Sequence, residues 1–129
     1  MTKRILLADD SVTIQKVVEL TLADEDFDIT MVSDGASALQ KAEEIQPDLI
    51  LADIVMPELN GYEVCEQLKA DAALKEIPVI FISALSETID KMKAFCVGGV
   101  DYVTKPFQFE EVYARVQTHL QLRRLQIEL

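Results

Sequence analysis

Leu49-Ile50-Leu51-Ala52-Asp53, followed by Ile54-Val55-Met56-Pro57 and then Asn60-Gly61, is the stretch that decides the fold. Four apolar residues in a row suit a strand covered on both faces, as inside a parallel sheet. The run ends in one carboxylate before a loop marked by proline and Asn-Gly, which puts Asp53 at the carboxyl end of a strand. The same unit recurs in both directions. Upstream, Ile5-Leu6-Leu7-Ala8 ends at Asp9-Asp10, and Ser11 is placed to cap a helix to about Ala23. Val12, Val17, Val18, Leu20 and Leu22 supply its apolar positions. Phe27 to Val32 reads as the second strand, and Ser33 or Asp34 caps a helix over Ala36 to Ile45 that Pro47 stops. Downstream, Tyr62 to Lys69 has helical spacing, and Val79-Ile80-Phe81-Ile82 is a fourth strand ending at Ser83. Thr88 to Phe95 is again helical, and Gly98-Gly99 turns the chain into a fifth strand, Val100 to Val103, ahead of Lys105-Pro106. From about Phe109 the pattern is helical to the last residue.

Five strand–helix alternations predict an α/β domain, a five-stranded parallel sheet doubly wound with helices on both faces. Ligands of such sheets bind beyond the carboxyl ends of the strands. The polar residues gather at those ends: Asp9 and Asp10 after strand one, Asp53 after three, Ser83 after four, Lys105 after five.

The 129 residues match the commonest size of one domain, and half of them are apolar, enough for a core. The net charge of −11 argues against a direct nucleic-acid surface, which needs clustered Lys and Arg. Residues 1–60 hold 13 acids and 4 bases, whereas residues 61–129 hold 10 and 8, so the first half carries a cation site or a strongly solvated face. Cys65 and Cys96 lack metal-ligand spacing and read as reduced packing residues. No apolar run approaches the ~18 residues a membrane span needs. Ile5-Leu6-Leu7 is too short for a signal-peptide core, so the expected location is the cytoplasm.

Three carboxylates converging on one crevice repel one another and need a cation to stay ionised together. Oxygen-only ligands suit a hard divalent ion, and Mg²⁺ takes one or two carboxylates plus waters and a phosphate oxygen. A lysine adds a positive point charge for an anion, and a serine hydroxyl adds a hydrogen bond. Together these groups make a phosphoryl-transfer site. Singly, each residue has a plainer reading. Asp9-Asp10-Ser11 fits helix capping, Ser83 a strand-end hydroxyl, Tyr102 half-buried packing and Lys105 a solvated charge. Their joint placement at one sheet edge is what those readings leave unexplained.

Leu-Leu-Ala-Asp9-Asp10-Ser, Leu-Ile-Leu-Ala-Asp53-Ile-Val-Met-Pro57 with Asn60-Gly61, Pro-Val-Ile-Phe-Ile-Ser83-Ala84, and Gly98-Gly99-Val-Asp-Tyr102-Val-Thr-Lys105-Pro106-Phe107 occur in this order. In these pieces the sequence resembles the CheY-like receiver domain of two-component response regulators, over essentially the whole chain. The resemblance implies a flavodoxin-like (βα)5 fold with strand order 2-1-3-4-5 and an extended C-terminal helix. It implies Asp53 as phosphoacceptor, with Mg²⁺ held by Asp10, Asp9, Asp53 and the Val55 backbone carbonyl. Ser83 and Lys105 then contact the phosphoryl group, Tyr102 is the aromatic switch, and the Lys105–Pro106 peptide is cis. The implied phosphodonor is a sensor histidine kinase or a phosphotransfer protein. The domain is then no classical enzyme: it catalyses only its own phosphorylation and dephosphorylation. Its output runs through the face of the fourth helix, fifth strand and last helix, to a homodimer or a fused output module. Lys91 with Glu111, and Asp101 with Arg115, are expected as ion pairs across a symmetric dimer. Val97, Val100 and Leu122 depart from the family by being apolar where many DNA-binding members carry charge on that face.

Three other classes fit the sequence less well. A partner-binding pseudo-receiver sits poorly with the intact acceptor, acid pair and lysine. An aspartate-nucleophile phosphatase usually carries a general acid two residues after the nucleophile, where Val55 stands here. A flavin-binding domain lacks its hydroxyl-rich phosphate loop after strand one. Val55 and Leu85, the positions that flank the attacking water in the family, offer no polar handle, so a long phosphoryl lifetime is expected. His119, the single histidine, reads as surface or interface and not as a phosphodonor. Val112 and Val116 should face the core. Leu122, Leu125 and Leu129 fall at i, i+3 and i+7, a seam spacing. Residues 1–120 are thus the expected domain, and 121–129 the continuation of its last helix toward an output module or a dimer helix.

Overall fold

The computed structural model describes residues 3–22, 27–84, 93, 96–105 and 109–128. Five strands form one sheet: β1 (Lys3–Ala8), β2 (Phe27–Val32), β3 (Leu49–Asp53), β4 (Val79–Ala84) and β5 (Asp101–Lys105). All neighbours are parallel, in the order β2-β1-β3-β4-β5. The helices are α1 (Val12–Thr21), α2 (Gly35–Ile45), α3 (Gly61–Lys69) and the C-terminal helix (Phe109–Glu128). The helix expected over Thr88 to Phe95 lies outside the described residues, apart from Lys93.

The strands are apolar throughout because both faces are covered. Successive residues point to opposite sides, so Leu6, Ala8, Ile50, Ala52 and Phe81 pack in one core with Ala38, Ala42, Val64, Cys65 and Leu68 of α2 and α3. Ile5, Leu7, Leu49, Leu51, Ile80 and Ile82 pack in the other, with Val18 and Leu22 of the α1 region and Val112, Val116 and Leu120 of the C-terminal helix. Truncating a fully buried strand residue such as Leu51 to Ala is worth roughly 2–5 kcal/mol, more than any single surface pair here. Burial also pushes the Cys65 thiol up to about 11, against the opposing pull of Lys69, so it stays protonated and serves as packing.

Local chemistry sets the helix starts. Ser11 Oγ accepts from Ile14 N–H at 3.3 Å, and Asp34 Oδ1 accepts from Ser37 N–H at 2.7 Å. The Asp34 cap, of the two candidates, is the one used. Gln46 ends α2 in the left-handed conformation, φ 45°, one residue before Pro47. The C-terminal helix packs through Val112 and Val116 as expected, and Leu120 adds a further turn. Leu122 and Leu125 are 48% and 55% exposed, and Leu129 lies outside the described residues.

Candidate functional site: a carboxylate cluster at the sheet edge

Sheet order places β1 beside β3 and β3 beside β4, so the ends of these three strands converge. Ala8 pairs with Ala52 in register, and Asp53 pairs with Ile82. The next residues on β1 and β4 are Asp9 and Ser83, both fully buried, and Asp53 is 4% exposed. Asp10 is exposed at the rim. One carboxylate oxygen from each of Asp9, Asp10 and Asp53 lies within 4.8 Å of the others. Two oxygens on one Mg²⁺, each ~2.1 Å from the ion, stand at most about 4.2 Å apart. The cluster therefore needs little closure to share one ion, and its donors are all hard oxygens. The residues fit the group.

The backbone around the cluster is held from behind. Asp9 N–H donates to Val32 O (3.0 Å), its Oδ1 accepts from Ser11 N–H (2.8 Å), and its carbonyl accepts from Gln15 Nε2 (2.8 Å). Asp53 Oδ1 accepts from Val55 N–H at 3.2 Å, and Ile54 N–H donates to Ile82 O at 3.0 Å. The loop after Asp53 returns to start α3 through a capping box. Glu63 N–H donates to Asn60 Oδ1 (2.9 Å), and Asn60 N–H donates to Glu63 Oε1 (3.0 Å). Gly61 then passes so close to β3 that a Cβ there would stand 2.6 Å from the Asp53 carbonyl oxygen. Sequence reading took Asn60-Gly61 as a turn signal. The Asn-x-x-Glu spacing was legible as a cap, but the closeness of Gly61 to Asp53 was not.

The remaining site residues are placed unevenly. Tyr102 sits on β5 beside Phe81, half-buried against the α2–α3 core. Lys105 ends β5, in register with Ala84. The Lys105 side chain, Leu85, and the Lys105–Pro106 peptide lie outside the described residues. Val55, two residues after Asp53, is 56% exposed.

Two expectations are corrected. Asp101 and Arg115 pair within one chain: Arg115 Nη1 donates to both carboxylate oxygens of Asp101 at 2.7 Å. The N-terminal end of β5 runs beside the C-terminal helix, which brings these side chains together without a second copy. Lys91, proposed as partner of Glu111, lies outside the described residues, and Glu111 Oε1 is 3.5 Å from Arg115 Nε. His119, expected at a surface or an interface, is largely covered by its own chain. Its side chain is 14% exposed, with Nε2 3.1 Å from Asp101 Oδ2. Burial by itself raises the Asp101 pKa, but hydrogen bonds from Arg115, His119 and Tyr102 N–H outweigh it and hold the carboxyl below its ordinary range.

Comparison with known proteins agrees with this geometry. Residues 5–117 match the response regulator receiver domain family. The alkaline phosphatase synthesis transcriptional regulatory protein PhoP of Bacillus subtilis is 40% identical over 120 residues, 93% of this chain and 49% of that protein. The DNA-binding response regulator MtrA of Mycobacterium tuberculosis is 36% identical, over 93% of this chain and 51% of that protein. The chain thus spans about half the length of the curated relatives it matches. Among solved structures, the receiver domain of the sensor histidine kinase PA1611 from Pseudomonas aeruginosa is 30% identical, with a TM-score of 0.84 over 94% of this chain and 99% of that one. That structure has a magnesium ion coordinated in its active site cleft. The strand order, the buried carboxylate at the end of β3 and the match over residues 5–117 agree: this chain belongs to the response regulator receiver domain family.

Proposed function

We propose that Asp53 is the phosphoacceptor of this receiver domain, taking a phosphoryl group from a sensor histidine kinase or phosphotransfer protein. The observation that carries this is the three-carboxylate cluster, with oxygens within 4.8 Å, around a buried Asp53 at the end of a central strand. In the step, an Asp53 oxygen forms a bond to phosphorus as the bond from phosphorus to the donor imidazole breaks. Asp9, Asp10, Asp53 and the Val55 carbonyl would hold Mg²⁺, which neutralises phosphoryl oxygens when bound. The magnesium ion in the Pseudomonas aeruginosa relative supports the same assignment. Ser83 donates a hydrogen bond to the phosphoryl group and Lys105 an ion pair, and Tyr102 reports the change from β5.

The covalent chemistry we assign is confined to self-catalysed phosphotransfer and autodephosphorylation. The face of the region between β4 and β5, β5 itself and the C-terminal helix passes the signal on, to a homodimer or a fused output domain. Residues 121–129 continue toward that module, a reading supported by exposed Leu122 and Leu125 and by relatives about twice as long. We place the domain in the cytoplasm, with no direct contact of its own to nucleic acid or membrane. Its charge of −11 supports the lack of a nucleic-acid surface, and no helix among the described residues is long and apolar enough to cross a bilayer. Intact-mass measurement after acetyl phosphate and Mg²⁺ tests the acceptor. Wild type gains one phosphoryl group and Asp53→Asn gains none; an equal gain in the mutant rejects the assignment.

A further inference from the structure

At the opposite, amino-terminal edge of the sheet lies a cleft of ≈ 280 Å³. It sits between the segment before β4, the segment before β5 and the C-terminal helix. Lys69, Lys75 and Arg123 line it against one acid, Glu76, with His119 and Val100 completing the wall. A local excess of positive charge on a chain of net −11 is unlike the rest of the molecule. One of these cations is short of acceptors, and a second is fixed beside it. Arg123 Nε and Nη1 are buried with no hydrogen-bond partner among the described residues. A guanidinium keeps its charge and its five donors under all ordinary conditions, so buried donors of this kind call for an acceptor. Lys69, for its part, is held in place: its Nζ donates to the carbonyls of Lys75 (2.9 Å) and Ile77 (2.7 Å). Burial lowers the Lys69 pKa; Cys65 and Glu76 oppose this, and the neighbouring Arg123 adds to the lowering. Two partly buried cations thus stand close together, an arrangement that a nearby anion relieves.

We propose that this cleft binds a small oxyanion, a phosphate or a carboxylate, between Arg123, Lys75 and Lys69. The site is separate from the acceptor. It lies at the start of β4, and the acceptor site lies at the end, about 16 Å away for the five rises of ~3.3 Å between the first and last of its six residues. His119 touches both the cleft and Asp101, and its imidazole is the only one in the chain. It is therefore a clean reporter.

The test is an NMR titration without divalent metal, at fixed pH and ionic strength. Inorganic phosphate and succinate are compared with chloride, following the His119 Cε1–H resonance and the Val100 and Leu122 amides. Saturable shifts with phosphate, succinate or both are expected, with chloride giving none. The stronger of the two anions identifies the source as phosphoryl or carboxylate. Arg123→Gln is expected to weaken binding roughly tenfold, the size of one lost charge-assisted contact. Lys75→Gln, at an exposed position, should weaken it less and serves if the first variant does not fold. Linear shifts equal to those with chloride, shifts confined to Ile54 and Val55, or unchanged affinity in a folded Arg123 or Lys75 variant would overturn the proposal.

Discussion

Replacing Gly61 by alanine tests whether close approach of α3 positions Asp53, the proposed acceptor. The added Cβ would stand 2.6 Å from the Asp53 carbonyl oxygen and 3.1 Å from both the Asp53 carbonyl carbon and Ile54 Cα. Favourable contacts between such atoms begin at ~3.5 Å, so two stretches of backbone must part by roughly half an ångström or more. None of the three atoms is the tip of a side chain that can swing away. Overpacking of this kind costs about 1–3 kcal/mol. Alanine returns up to ~1 kcal/mol as a better helix former than glycine, and only part of that applies at the first helical residue. The net expectation is a loss of about 1–2 kcal/mol, which lowers Tm by roughly 3–8 °C. The displacement reaches Asp53 itself. A misplacement of ~1 Å costs on the order of 10²-fold in rate, so half that distance should slow phosphorylation by acetyl phosphate about tenfold. Thermal melts by circular dichroism and the initial rate of mass gain measure both effects. A Gly61→Ala protein with wild-type Tm and wild-type rate would refute the idea that this contact positions Asp53.

Asp10→Ala should abolish the Mg²⁺-induced rise in Tm while raising the Tm of the metal-free protein slightly, because one of three clustered like charges is gone; a full Mg²⁺ response in the variant would contradict the cluster's role. The Asp101 carboxyl is held below its ordinary range, so its contribution to stability is complete above the unfolded value near ~3.9 and disappears as pH falls through the lower folded value. Arg115→Ala removes the main hydrogen bond responsible, and melts from about pH 6 downward should then show a shallower acid loss than wild type; identical slopes would contradict it. Val55→Asn puts a polar side chain at an exposed position beside the acceptor and should shorten the acyl-phosphate lifetime several-fold, less than the ~10² of a full general base, as read by the decay of the phosphorylated mass; an unchanged decay would show that this position does not hold the attacking water.

The sequence by itself carried the order of elements and the grouping of three carboxylates at one sheet edge. Ile5 to Ala8 and Leu49 to Ala52 are unbroken apolar runs because both faces of a parallel strand are covered, and each run gives way to a carboxylate at the strand's carboxyl end. A sheet whose strands all point one way must bring those ends to one edge. That is why Asp9, Asp10 and Asp53 could be grouped before their oxygens were known to lie within 4.8 Å. The capping positions of Ser11 and Asp34 were legible for the same reason: a cap is a contact three residues long.

Tertiary structure alone decided the contacts between elements distant along the chain. Asp101 finds Arg115 and His119 because β5 lies against the C-terminal helix, and a pairing across 14 or 18 residues leaves no trace in local periodicity. The sequence could name Asp101 and Arg115 as a pair, but it could not say whether one chain or two would close it. Gly61 looked like a turn residue, and its other duty follows only from the return of the loop onto Asp53. The basic cleft assembles Lys69, Lys75 and Arg123 from two separate segments, each unremarkable as a stretch of sequence. Periodicity reports which way a side chain points relative to its own element; which neighbour it then meets is set by how the elements pack.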